Sequence, residues 1–256
     1  LPHMLDWWAQ PAAQGLLWLA GLIAFVLLLR KVRRMQALYM TAFYVFCAIA
    51  FMGKGIPGFA LPGMVALLYL IASRRWGALL SGQLRIGPGI LVVAIVGLPW
   101  YVAMFMRHGP AFTDRLLIHD HINRLAAGVH GDTGSIQYFL LQLGYATFPW
   151  IALMPAAVLG WLWYRGRQER NVWASPGQLD EEGHRRESLM LMGIWFFASF
   201  TLFSAMITKF HHYIFPAVPA LAFLVALAVD DIFDADLPQP YPLYLAAIPI
   251  TLILAW

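Results

Sequence analysis

The sequence predicts an all-α, polytopic transmembrane protein, and three observations carry that prediction. Hydrophobic residues make up 61% of the 256 residues, charged residues only 12%, and the mean hydropathy is +0.67. A soluble domain carries roughly 25% charged residues, so this chain has no polar coat for an aqueous surface. Its charges are also clustered, with long uncharged windows between them, and its basic residues concentrate on alternate loops.

The windows define the elements in order. A bilayer-crossing helix needs about 20 apolar residues. The uncharged windows give spans at 7–29, 35–53, 55–73, 86–106, 188–208, 213–229 and 241–256. The window 133–164 is too long for one span, so its first part is expected at the interface and a helix is expected over 145–164. About eight spans follow, in one transmembrane domain with an outer loop at 107–144 and a cytoplasmic loop at 165–187. The chain begins with Leu1 and stops at Trp256 inside an apolar run, which reads as a piece of a longer protein.

Lys and Arg are retained on the cytoplasmic side. Alternating the loops puts Arg30, Lys31, Arg33, Arg34, Arg74, Arg75, Arg85 and the five arginines from Arg165 to Arg186 on that side. Lys54, Arg107, Arg115, Arg124 and Lys209 are left facing outward. The histidines run the other way: His108, His119, His121, His130, His211 and His212 all face out. The charged loop 165–187 reads as a solvated connector. Cys47, alone of its kind and inside a span, reads as a packing residue.

Three outward segments hold the polar chemistry. In Gly53-Lys54-Gly55-Ile56-Pro57-Gly58 a lysine stands at a tight reversal between glycines, which let backbone come close to a ligand. The spacing is not that of a P-loop, and a snorkelling lysine in an ordinary turn has the same look. The segment 107–132 carries Asp114, Asp120 and Asp132 among its histidines and arginines. A helix over 112–127 along the membrane surface would share one face between His121 and Arg124. In Thr208-Lys209-Phe210-His211-His212-Tyr213, a lysine and two histidines stand where one helix ends and Pro216 and Pro219 shape the next.

Cations at the outer bilayer rim suit a lipid phosphate, whose tail lies in the membrane while its head reaches the loop. Fixed cations neutralise charge developing on a departing phosphate without a metal. His and Asp can carry the proton of an acceptor hydroxyl or amine. A second use of the same groups is metal ligation, with His119 and His121 as ligands.

These residues, in order, resemble a family. Lys54-Gly55-x-Pro57, Leu98-Pro99-Trp100-Tyr101, Gly109 and Phe112, His121-x-Asn123-Arg124, His130-Gly131, Pro149-Trp150, and Thr208 to Ile214 with Pro216 and Pro219 are similar to the motifs of bacterial GT-C membrane glycosyltransferases of the family 39 group. That group includes protein O-mannosyltransferases and lipid A aminoarabinose transferases. The resemblance implies a GT-C-like helix bundle in the bacterial inner membrane, with its working face outward. It implies transfer of a sugar from a polyprenyl-phosphate donor to a lipid, glycan or protein acceptor. It further implies Lys54, Arg124, Lys209, His211 and His212 at the donor phosphate, and His121, Asn123, His130 and Tyr213 at the acceptor or cavity wall. The family's acceptor-activating carboxylate lies on a first outward loop that this chain does not show, which leaves Asp120 as the candidate base. No cofactor is required on this reading, and a divalent ion stays an open question.

Two other classes compete. A transporter or lipid flippase would place ionisable groups near the midplane and show internal repeats, whereas these spans are nearly charge-free. A membrane scaffold would not need the outward polar cluster. Nucleic acid is not expected as a partner, because the basic loops follow the positive-inside bias.

Overall fold

The computed structural model describes residues 9–30, 33–116, 136–148, 150–154 and 181–233. The described elements are helices joined by turns, in two compact units divided between Arg124 and Leu125. This is a polytopic helical membrane protein. Four helical stretches among the described residues are long and apolar enough to cross a membrane: Met35–Lys54, Ile86–His108, Gly183–Ala205 and His211–Asp230.

The first unit holds α1 (Ala9–Arg30), α2 (Met35–Lys54), α3 (Ile56–Ala72), a single turn α4 (Gly77–Leu80), α5 (Ile86–His108) and a short α6 (Pro110–Asp114). Helix α5 packs against both α1 and α2, and α2 also packs on α3. Small residues make these approaches close, as expected where lipid removes any hydrophobic drive between helices. A Cβ on Gly58 would run into the backbone of Ala50 and Phe51, and one on Gly89 into the Tyr44 ring. Pro99 has no N–H for the Ile95 carbonyl one turn back. A Cβ on Gly21 would lie 3.0 Å from that same oxygen, so α1 can approach α5 there only because it presents glycine. Leu16, Leu19, Leu22 and Phe46 stay largely exposed, which suits side chains whose solvent is acyl chain.

The second unit holds α7 (Ile136–Thr147), a 3-10 turn (Trp150–Leu153), α8 (Glu181–Ala205), a 3-10 segment (His211–Ala217) and α9 (Val218–Phe233). Helices α8 and α9 pack together and run antiparallel, with Arg185 near the start of α8 placed 3.9 Å from Asp230 near the end of α9. Ile214, Ala217, Ala220, Leu221 and Leu224 form the dry centre with Phe139, Leu143 and Phe196.

Two element boundaries differ from the sequence expectation. Residues 136–144 were expected at the interface ahead of a helix from 145, yet they form most of α7, which ends at Thr147. Phe139 and Leu143 are four apart and fully buried, so this segment has a helical core stripe that a charge-window count does not register. Helix α8 starts at Glu181, seven residues before the uncharged window, because Glu and Arg are good helix formers and a charge does not end a helix. The expected span 145–164 from residue 155 onward, the expected span 241–256 and residues 117–135 of the outer loop lie outside the described residues.

Candidate functional site

In the first unit, the chain reverses between α2 and α3 at Lys54 and Gly55. Gly55 has φ 71° and ψ −148°, a backbone conformation that side chains resist, and it is buried. Its N–H donates to the Phe51 carbonyl at 2.8 Å, and Gly58 N–H donates back to the Gly55 carbonyl at 3.0 Å. Pro57 then sits in the first turn of α3, where its missing N–H costs nothing. The result is a rigid corner with Lys54 exposed at its edge.

Helix α5 holds that corner. The Tyr101 hydroxyl donates to the Phe51 carbonyl at 2.6 Å, and the two rings lie 4.6 Å apart. Trp100 packs edge-on to Tyr101 and reaches Phe112, with ring centroids 5.9 Å apart. Gly109, at φ 65°, ends α5 and lets Pro110 begin α6, which returns Phe112 towards these rings. Between the corner and α6 lies a cavity of about 420 Å³. Phe51 and Gly55, on either side of Lys54 in the chain, line it with Tyr101, Phe105, Phe112 and Leu116. Its wall is thus almost wholly apolar and a lysine closes the helix beside it.

In the second unit, Lys209 is buried and its Nζ lies 2.8 Å from both the Ser204 and Met206 carbonyl oxygens. These carbonyls end α8, where the helix dipole favours a cation. The ammonium also stands 5.3 Å from the centre of the Phe139 ring on α7. Burial pulls the Lys209 pKa below its ordinary value. His211 and His212 are exposed at the start of the 3-10 segment, and the His212 ring stacks on Phe210 at 5.7 Å. Tyr213 is buried among Phe203, Phe210 and His212.

Of the residues singled out from sequence, Lys54 lies in the first unit, while Lys209, His211, His212 and Tyr213 share one turn of the second. Asp120, His119, His121, Asn123, Arg124 and His130 lie outside the described residues. No group of three or more His, Cys, Asp or Glu able to hold a metal occurs among the described residues. Tyr101 had no role in the sequence reading beyond its place in a motif. The signal for it was its position two residues after a helix-interior proline, on the turn of α5 that faces Phe51.

No family model matches the chain. An undecaprenyl phosphate-alpha-4-amino-4-deoxy-L-arabinose arabinosyl transferase of Pseudomonas fluorescens is 30% identical over 186 residues, covering 72% of this chain and 29% of its own length. The corresponding transferase of Aeromonas salmonicida is 30% identical over 220 residues, covering 84% and 36%. ArnT from Cupriavidus metallidurans, solved bound to undecaprenyl phosphate, superposes with a TM-score of 0.62 at 26% identity over 94% of this chain and 39% of that one. Over most of its own length the chain is similar to aminoarabinose transferases. It spans about a third of the length of those it matches. The GT-C, family 39 resemblance read from its motifs is therefore supported by both sequence and fold.

Proposed function

We propose that the protein transfers a sugar from a polyprenyl-phosphate donor to an acceptor at the outer face of the bacterial inner membrane. The observation that carries this reading is the apolar cavity beside Lys54. A phosphorylated lipid needs a dry wall for its chain and a cation for its phosphate; Phe51, Gly55, Tyr101 and Phe105 line the apolar wall, and the exposed Lys54 precedes Gly55 in the chain. That ArnT has been solved with undecaprenyl phosphate bound supports the same donor class.

In this reaction an acceptor oxygen or nitrogen attacks the sugar's anomeric carbon. The bond from that carbon to the phosphate oxygen breaks, and its electron pair leaves on the polyprenyl phosphate. Lys54 and Arg124 meet the charge that develops there, without a required metal. The acceptor's proton passes to a carboxylate, for which Asp120 is this chain's candidate. Within the second unit, Lys209 fixes the turn that carries His211 and His212, and Tyr213 forms its packed base. The acceptor is a lipid, glycan or protein.

The test supplies native membranes with radiolabelled polyprenyl-phosphate sugar and follows label into acceptor. Covalent transfer on the outer face is the expected result. Label that crosses the membrane while still attached to its carrier, with no new glycoside, would instead assign a flippase.

A further inference from the structure

Helix α3 starts at the Lys54 corner and ends 17 residues later, about 25 Å away along its axis, in a loop with its own chemistry. The sequence from Ser73 to Arg85 has three arginines and no acidic residue. We infer that this loop is a binding site for the headgroup of an anionic phospholipid.

The first argument is backbone strain at cations. Arg74 has φ 54° and Arg85 φ 49°, and they are the two described non-glycine residues in the left-handed region. At the end of α3 the Arg75 N–H bonds the Leu70 carbonyl at 3.0 Å and the Arg74 N–H the Ile71 carbonyl at 3.1 Å. This is the Schellman pattern, whose left-handed position is ordinarily glycine. Arg85 occupies the N-cap of α5 without a side-chain cap, where a small polar residue ordinarily stands. Retention of positive charge on one side of the membrane does not explain this. Arg34 supplies that charge at the neighbouring loop from relaxed extended backbone, φ −106° and ψ 136°.

The second argument is depth. Leu80 is 94% exposed and Trp76 is 50% exposed within the same loop. Side chains of this kind among arginines belong at the headgroup level, with the apolar parts in acyl chain and the guanidinium groups at the phosphates. Arg75 is steadied by a hydrogen bond from Nη1 to the Tyr69 hydroxyl at 3.4 Å, which directs one cation at the helix end. Arg74 is exposed beside it. Arginine's planar fork matches a phosphodiester.

The experiment uses the intact protein in lipid nanodiscs. Thermal midpoints are compared in phosphatidylcholine alone and in phosphatidylcholine mixed with phosphatidylglycerol, and retained lipid is counted by native mass spectrometry. Arg74→Gly with Arg85→Gly removes both cations while relieving the strain, so folding is not at risk. Wild type is expected to gain stability from phosphatidylglycerol. The double variant should lose that gain and bind the lipid about 30-fold more weakly, at about 1 kcal/mol per cation near a charged surface. Arg33→Gln with Arg34→Gln should retain the gain. Equal loss in both double variants would overturn the site in favour of diffuse attraction. A full gain retained by the glycine variant, or reproduced by soluble glycerol phosphate, would overturn it outright.

Discussion

The hydroxyl of Tyr101 donates to the carbonyl of Phe51 at 2.6 Å, on the same oxygen that receives the Gly55 N–H at 2.8 Å. One carbonyl thus joins the middle of α5 to the last turn of α2, immediately before the Lys54 corner. The corner is held by a partner fifty residues away as well as by its own turn.

Tyr101→Phe removes the hydroxyl and keeps the ring. The expected cost is about 1 kcal/mol of stability, the net worth of one such bond. Lys54 then loses its fixed position, so the donor KM should rise several-fold while kcat changes less. Steady-state kinetics in membranes check this, and an equal fall of kcat with unchanged KM would contradict it.

Gly58→Val tests the close approach of α3 to α2. The added side chain meets the backbone of Ala50 and Phe51, which cannot rotate away. Overpacking of this kind costs about 1–3 kcal/mol. A thermal midpoint in detergent as high as wild type would show that the two helices are free to separate there.

Lys209→Met leaves the Ser204 and Met206 carbonyls without their donor, at a cost of about 1–3 kcal/mol. The lysine also leaves a pH signature. Its pKa is lower folded than unfolded because burial disfavours the ammonium. Between those two values the unfolded chain binds the extra proton, so stability contributed by this group rises with pH through that alkaline window. Wild type should show that rise in a midpoint-against-pH series and the methionine variant should not.

The helices themselves were legible because bilayer crossing imposes a length and an apolar composition that any reading of charge windows detects. Lys54 was legible for a related reason, since a lysine between glycines at a span end is chemically conspicuous. Its support was not. Nothing in Leu98-Pro99-Trp100-Tyr101 says which carbonyl the tyrosine reaches, because that partner is set by how α5 slides against α2. Lys209 shows the converse. Its outward location and charge suggested a phosphate ligand, while its packing gives it two carbonyls and a ring face. The start of α7 was missed because an uncharged window contains no mark of where a helix begins.

Fixed cations at the donor phosphate make a divalent ion dispensable on the proposed reading. Membranes washed with a chelator should transfer sugar at the untreated rate. A loss restored by adding zinc, magnesium or manganese would move the charge stabilisation to a metal.

The most direct measurement is equilibrium binding of a polyprenyl-phosphate sugar to the intact protein and to Lys54→Ala and Lys54→Arg. Loss of a charge-assisted contact of about 1.5–3 kcal/mol weakens binding about 10- to 100-fold. The account predicts that loss for alanine and a partial recovery for arginine, with the fold unchanged. Donor affinity equal to wild type in Lys54→Ala would contradict it, and the cavity beside Lys54 would no longer be the place where the donor is held.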